Sequence, residues 1–278
     1  MKKKILLTGS TGFVGKQVLK ALSLLDIELR LVVRKGTARA TDYKNLSCEI
    51  VETKDLFSED INWWTVHCTG IDTVIHLAWY AEPGKYLQSP KNFNCLSGSL
   101  NLARGAVKAG VRRFIGIGTC FEYDVSYGTL SVDTPLKPSS PYAEAKTALY
   151  LRLLSLLPRH GIEFAWCRIF YLYGEGEDTR RLVAYVLSKL KIKEPAMLTS
   201  GKQIRDYLDV KEAGSIIAKV ALGKFTGPVN VCSGKPITVR ELVEQLADKQ
   251  GAPRSLLKFG GREDNSCDPQ CVIGIPNV

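Results

Sequence analysis

The chain has 278 residues, 45% hydrophobic and 24% charged, long enough for a sizeable core in one large domain or two closely joined ones. Its formal charge is +10, from 38 basic and 28 acidic residues, yet beyond Lys2–Lys4 the basic residues are scattered and form no nucleic-acid motif. No apolar run reaches the roughly 18 residues that span a bilayer, and the N-terminus enters a strand at once, leaving no room for a signal peptide; nucleic acid and membrane are therefore not expected partners, and the protein is expected in the cytoplasm.

The first strand-like run, Lys4–Thr8, leads into Thr8-Gly-Ser-Thr-Gly-Phe-Val-Gly and a predicted helix over Gly12–Leu25, with Val14, Val18, Leu22 and Leu25 on one face. Gly9, Gly12 and Gly15 stand where strand turns into helix. Backbone there can approach a pyrophosphate, and the free N–H groups of a helix start can bind it. The spacing is GxxGxxG. Lys16 does not make this a nucleotide-triphosphate loop, because Ser10 occupies the required glycine position and Gln17 replaces the needed Ser or Thr.

The second strand, Glu28–Val33, runs into Arg34 and Lys35. An acidic residue at that point would bind the adenosine ribose hydroxyls of NAD, whereas a cation suits the 2′-phosphate of NADP; a solvated basic turn is the plainer reading. Strands are predicted next at Cys48–Glu52 and Thr73–Ala78, a helix at Phe93–Ala109 and a strand at Phe114–Thr119. The segment Phe121–Ser140, rich in Ser, Pro, Gly and Tyr, breaks the rhythm, and long irregular connections are usually functional.

A helix over Pro141–Leu157 opens with proline in its first turn and carries Tyr142 and Lys146 four residues apart, on one face. Free tyrosine and lysine have pKa values of roughly 10 and 10.4. Beside a nicotinamide, the ammonium is expected to favour phenolate and make Tyr142 a usable acid or base near neutral pH. Read alone, the pair is better taken as an exposed Tyr and Lys on an ordinary helix, because the spacing is common by chance.

A strand at Ile162–Ile169 precedes a second irregular stretch, Tyr173–Arg181. A helix at Asp209–Leu222, a strand at Val229–Cys232 and a helix at Val239–Lys249 follow, the last capped by Thr238 with Glu241 three residues on. Alternating elements predict an α/β fold: a Rossmann-type doubly wound parallel sheet with a small, discontinuous C-terminal substrate lobe. Expected boundaries are 1–170 for the cofactor domain, with 203–232 returning to it in part, and 171–202 and 233–278 for the lobe. The eight cysteines contain no CxxC, and His67, His76 and His160 complete no zinc pattern; reduced structural thiols and no metal are expected.

These motifs together resemble the extended short-chain dehydrogenase/reductase family, which modifies nucleotide sugars, over nearly the whole chain. The resemblance is carried by the amino-terminal glycines, His76-Leu77-Ala78, Cys95–Asn101 (CLSGSLN against the family's NxxGTxN), Gly118–Tyr123, Tyr142 with Lys146, Arg168–Gly174 and Gly201–Val210. It implies a triad of Thr119, Tyr142 and Lys146. Tyr142 would exchange a proton with the sugar oxygen, Lys146 would hold the nicotinamide ribose and tune Tyr142, and Thr119 would orient the substrate. Cofactor contacts would come from Gly9, Thr11, Gly12, Phe13, Val14, Gly15 and Arg34, from Asp55 and Leu56 at the adenine, and from Leu77, Ala78, Tyr142, Lys146 and Ile169. Substrate contacts would come from Cys120, Tyr171, Arg181, Gln203 and Arg205, with Arg205 gripping the diphosphate.

The family's dehydratases carry Asp-Glu directly after the Thr; here Cys120 and Phe121 stand there, and Glu122 is one place late. Epimerases of the family retain NAD, whereas Arg34 points to NADP(H) rather than NAD(H). A finer resemblance, at Thr119–Asp124 and Cys167–Asp178, is to bacterial reductases of CDP-linked 4-keto-3,6-dideoxyhexoses, the abequose and paratose synthases of O-antigen pathways; Tyr171 stands where many family members have Asn. The expected reaction is NADPH-dependent reduction of the 4-keto group of a nucleotide-diphosphate-linked deoxyhexose. The alternatives are a nucleotide-sugar epimerase with tightly bound NAD and a non-catalytic NADP-binding regulator. Nucleobase and product stereochemistry stay open. A homodimer through Phe93–Ala109 and Pro141–Leu157 is possible, and a carboxyl end shorter than is common in the family predicts a looser sugar pocket.

Overall fold

The structure, a computed structural model, describes residues 2–37, 48–266 and 268–278. Its strands in chain order are β1 (Lys4–Thr8), β2 (Glu28–Arg34), β3 (Cys48–Thr53), β4 (Thr73–His76), β5 (Arg113–Thr119), β6 (Thr129–Leu130) and β7 (Glu163–Ile169). They continue with β8 (Tyr171–Tyr173), β9 (Ala196–Leu198), β10 (Ile204–Asp209), β11 (Gly227–Val231), β12 (Pro236–Thr238), β13 (Leu257–Phe259) and β14 (Cys271–Gly274). Seven of them form one parallel sheet in the order β11-β7-β5-β4-β1-β2-β3. Strands buried on both faces read as continuous apolar runs, as Ile5-Leu6-Leu7 and Phe114-Ile115 do.

Helices α1 (Phe13–Ser23) and α6 (Val210–Leu222) cover one face, where Val18, Leu22, Ala213 and Ile217 pack on Leu7, Leu31 and Val229. Helices α2 (Ile61–Cys68), α3 (Lys91–Lys108) and α4 (Pro141–Leu156) cover the other, with Trp64, Leu102, Leu149 and Leu153 against Phe114 and Trp166. Helix α5 (Leu182–Lys191) and α7 (Val239–Lys249) pack on β9 and β13 through Val186, Leu190, Val243 and Leu257, in a core of their own.

A second sheet runs β12-β10-β14-β6, with β8 also on β10. Within 203–232, β10 lies in this second sheet, while α6 and β11 return to the main layer. The irregular segment after β5 contributes β6 to it. The buried Asp206 carboxylate pins the lobe, accepting from Ser233 N at 2.7 Å, Ser233 Oγ at 2.6 Å, Gly234 N at 2.8 Å and Gly274 N at 3.1 Å. The carboxyl-terminal residues are tied into the lobe: β14 sits between β10 and β6, and Asn277 bonds Asn230 N and Pro228 O, both at 3.0 Å.

Element ends also differ from expectation. Helix α1 stops at Ser23, leaving Leu24 81% exposed, and β4 ends at His76 because Leu77 and Ala78 turn across the glycine loop. All seven described cysteines are free thiols, and burial pushes Cys68, Cys120, Cys167 and Cys232 up to about 12. Cys267 lies outside the described residues.

Candidate active site

A cleft of about 840 Å³ opens at the carboxyl ends of β1, β4, β5 and β7, where the strand order reverses between β1 and β4. Gly9, Thr11, Gly12, Phe13, Val14 and Gly15 form its floor. Gly9 has φ +76°, and a Cβ there would stand 2.7 Å from Ala78 N; a Cβ on Gly15 would stand 1.9 Å from Gly9 O. Only glycine fits either place. No side chain caps the start of α1 and no acid occupies its first turn, so its N–H groups suit a pyrophosphate. Arg34 lines the cleft at the end of β2, with Asp55 and Leu56 at the same end; Leu77, Ala78 and Ile169 complete the wall toward the sheet. These residues fit a dinucleotide.

Thr119 ends β5, and Ser140 Oγ caps α4 by accepting from Ala143 N at 3.3 Å. This brings Thr119, Tyr142 and Lys146 to one wall of the cleft. Lys146 is nearly buried; its Nζ donates to Ile117 O at 2.7 Å and lies 3.7 Å from the Trp79 ring centre. Burial lowers its pKa to about 7, with the Glu122 carboxylate opposing. Tyr142 moves the other way: burial, then Tyr86 and Glu122, hold its phenol above the ordinary value, against a hydrogen bond with Thr119. In the chain alone the Lys146 ammonium is turned onto a carbonyl and an aromatic face, and the Tyr142 phenol stays above its ordinary value; the expected acidification belongs to the pair beside a nicotinamide.

A family model for the NAD dependent epimerase/dehydratase family matches residues 5–232. The chain belongs to this family. Among its relatives, dTDP-6-deoxy-L-talose 4-dehydrogenase (NAD(+)) of Aggregatibacter actinomycetemcomitans is 24% identical, over 87% of this chain and 88% of the relative. UDP-glucose 4-epimerase of Thermotoga maritima, solved with UDP-glucose, superposes with a TM-score of 0.84 at 21% identity, covering 98% of this chain and 90% of that one. The dTDP-glucose 4,6-dehydratase of Streptomyces venezuelae, solved with NAD, gives 0.82 at 21%, covering 98% and 88%. The two structures share the fold.

In this epimerase/dehydratase family member, His76 fixes the floor from below. Ser99 Oγ donates to Cys95 O at 2.6 Å and so accepts from His76 Nε2 at 2.7 Å. His76 Nδ1 then accepts from Thr8 Oγ1 at 2.8 Å, which accepts from Ala78 N at 3.3 Å. Burial lowers His76 to about 3, so the ring is neutral. Between that value and an unfolded value of about 6.5 the unfolded chain holds more protons, so stability falls as pH drops, by at most about 1.4 kcal/mol per unit. His76→Asn lacks this term. Urea unfolding should show the gap between wild type and variant narrowing by about 2 kcal/mol from pH 7 to pH 5.

Of the expected substrate residues, Cys120, Tyr171 and Arg181 line the cleft; Gln203 and Arg205 do not. Arg205 is 2% exposed, pairs with Asp268 at 2.8 Å, donates to Ile204 O at 2.9 Å and stacks 5.2 Å over the Tyr171 ring. In this conformation its guanidinium faces Asp268 and the Tyr171 ring rather than the cleft. The enzyme's cleft also holds Trp79 and Tyr86, which no motif marked, and Glu177 and Tyr207, which lie within motifs of the resemblance that assign them no role. Tyr86 meets Tyr142 edge-on at 4.8 Å, and Trp79 does so at 6.5 Å. Asn92 ties the two together, accepting from Trp79 Nε1 at 2.9 Å and donating to Tyr86 O at 2.7 Å. Trp79 directly follows His76-Leu77-Ala78, the one sequence signal that could have found it. Burial raises Glu177 to about 7, with Arg181 opposing.

Proposed function

We propose that this enzyme uses NADPH to reduce the 4-keto group of a nucleotide-diphosphate-linked 6-deoxy- or 3,6-dideoxyhexose, in the supply of bacterial cell-surface polysaccharide precursors. The observation that carries this reading is the sugar end of the cleft. Trp79, Tyr86 and Tyr142 meet ring to ring on one side, and Phe121, Tyr171 and Tyr207 do so on the other. Such walls suit a ring that has lost hydroxyls; a fully hydroxylated hexose would leave polar groups unpaired there. The positions after Thr119 are Cys120 and Phe121, which cannot serve as acid and base for water loss. A relative named for oxidation at the 4-position of a 6-deoxysugar supports the same chemistry.

A reduced nicotinamide, when bound, supplies hydride to the carbonyl carbon. Tyr142 gives its proton to the carbonyl oxygen, so the C=O becomes CH–OH with charge balanced. Thr119 orients that oxygen, and Lys146 faces the nicotinamide end, where its ammonium can bind a ribose hydroxyl. Water is kept out by the aromatic walls. The reading places the enzyme in the cytoplasm as a homodimer through α3 and α4, where Phe93, Leu151 and Leu154 stand exposed. Among the described residues, no helix is long and apolar enough to cross a membrane.

The test mixes purified enzyme and NADPH with CDP- and dTDP-linked 4-keto-deoxyhexoses and follows NADPH absorbance. Oxidation matched by alcohol formation is expected; no oxidation above background with any of them contradicts the reading. Arg34 carries the coenzyme preference. Arg34→Ala should raise the Kd for NADPH about tenfold or more, the worth of a charge-assisted phosphate contact, and leave NADH within about twofold. Equal losses for both would remove Arg34 from that role.

A further inference from the structure

Beneath the cleft wall, a carboxylate and a guanidinium are buried together. Glu122 is fully buried and Arg168 is 1% exposed. Arg168 Nε donates to Glu122 Oε2 at 2.8 Å, and Trp166 Nε1 donates to both carboxylate oxygens at 3.0 and 3.1 Å. Thr119 N donates to Glu122 Oε1 at 2.8 Å, and Thr119 Oγ1 accepts from Phe121 N at 3.3 Å, so Thr119 and Glu122 cap one turn reciprocally. Arg168 Nη1 donates to Tyr123 OH at 2.9 Å, and that hydroxyl donates to Asn230 Oδ1 at 2.7 Å.

The sequence clears space for this network. A Cβ on Gly116 would stand 2.4 Å from the Trp166 ring, and one on Gly118 would stand 2.2 Å from Glu122 Oε1 and from Trp166 Nε1. A buried ion pair is weak evidence for stability, since apolar residues of the same volume often serve as well. A use in the site explains its presence better. Resting on the proposed function in its assignment of Thr119, we propose that Glu122 is a positioning residue: clamped by Arg168 and Trp166, its carboxylate fixes Thr119 at the end of β5 and supplies negative charge at the strand end that Lys146 also holds.

Lys146 and Glu122 hold the same strand end: Lys146 Nζ donates to Ile117 O at 2.7 Å, two residues before the Thr119 N–H that Glu122 accepts at 2.8 Å. The other titratable groups whose charge would bear on Lys146 are Cys95 of α3 and His76 of β4. His76 is neutral and Cys95 is held protonated by burial. The Glu122 carboxylate is first among the influences that raise Lys146.

Two measurements on Glu122→Gln test this. The first is kinetic: kcat for keto-sugar reduction should fall about 100-fold, as expected for a misplaced orienting group, with KM for NADPH and sugar within about twofold. The second needs no substrate: the Lys146 Nζ resonance in 15N-lysine-labelled enzyme, assigned with Lys146→Arg, should titrate at lower pH in Glu122→Gln than in wild type. If Glu122→Gln fails to fold, Glu122→Gln/Arg168→Met, which leaves no lone buried charge, carries the same measurements. An unmoved Lys146 titration overturns the proposal even if the melting temperature falls, because packing alone predicts that result. A wild type that reduces no keto sugar refutes the proposed function, while the titration still decides the role of Glu122.

Discussion

Replacing Tyr142 with Phe should lower kcat by about 1000-fold or more, within the span expected for loss of a positioned general acid, and leave the Kd for NADPH within about twofold. The reason is the balance of charge at the reacting oxygen. Hydride transfer leaves an alkoxide, and the protonated phenol that faces the cleft beside Thr119 is Tyr142. Burial holds that phenol protonated across the neutral range, so the proton is in place before hydride arrives. Lys146, lowered to about 7, and Glu177, raised to about 7, are then the cleft groups whose charges change near neutrality, and the rate in wild type should titrate there. A phenyl ring fills the same space against Tyr86 and Trp79, so the melting temperature should hardly move. Stopped-flow turnover with a fluorescence titration of NADPH checks both halves. Full activity in the variant would remove Tyr142 from its role. Tyr86→Phe is the control: its phenol is raised by burial but lacks the Thr119 partner, and kcat should fall by less than about tenfold.

Gly15→Ala should weaken NADPH binding about 100-fold and lower stability by about 1–3 kcal/mol, the range for overpacking a close contact. The added methyl would lie 1.9 Å from Gly9 O and 2.7 Å from Gly9 C. Those are backbone atoms of the turn proposed to cradle the pyrophosphate, so no flexible side chain can absorb the clash. Gly9 cannot retreat, because Ala78 N stands under its own Cβ position at 2.7 Å. Either α1 slides along the sheet or the turn opens, and both spoil the N–H groups aimed at the ligand. Isothermal titration with NADPH and urea unfolding measure the two effects. Wild-type affinity in Gly15→Ala would mean the glycine turn is not the cofactor seat.

The parts of this molecule that could be read from its sequence are those whose cause is local. β1 and the glycine turn are legible because a doubly buried strand is an unbroken apolar run and the turn needs residues without Cβ. α7 has the expected bounds because Thr238 and Glu241 cap it reciprocally. α2 was missed: INWWTVHC is eight residues with apolar groups all round, although Asp60 caps it by accepting from Trp63 N at 2.7 Å. β6, β8 and β12 have two or three residues each, too few for an alternating pattern to show.

The site divides the same way. The Tyr142–Lys146 spacing follows from helix geometry, but the ionisation of both is set by distant segments. Trp79 lies over the ammonium and Tyr86 lies edge-on to the phenol. The resemblance assigns Arg205 to a diphosphate, and only the fold shows Asp268 beside it. The Glu122–Arg168 pair was visible as two motif residues and not as partners, since their meeting depends on two neighbouring strands and on glycines that make room.

The central claim is net hydride delivery to a sugar carbonyl, and its most direct test uses NADPH deuterated at C4 of the nicotinamide, in both stereochemical forms, with a nucleotide-linked 4-keto-deoxyhexose. The account predicts that one of the two forms places a single deuterium on the sugar at C4, with one cofactor oxidised for each alcohol formed. A changed sugar carrying no label while the cofactor pool stays fully reduced would contradict it and make the chain an epimerase.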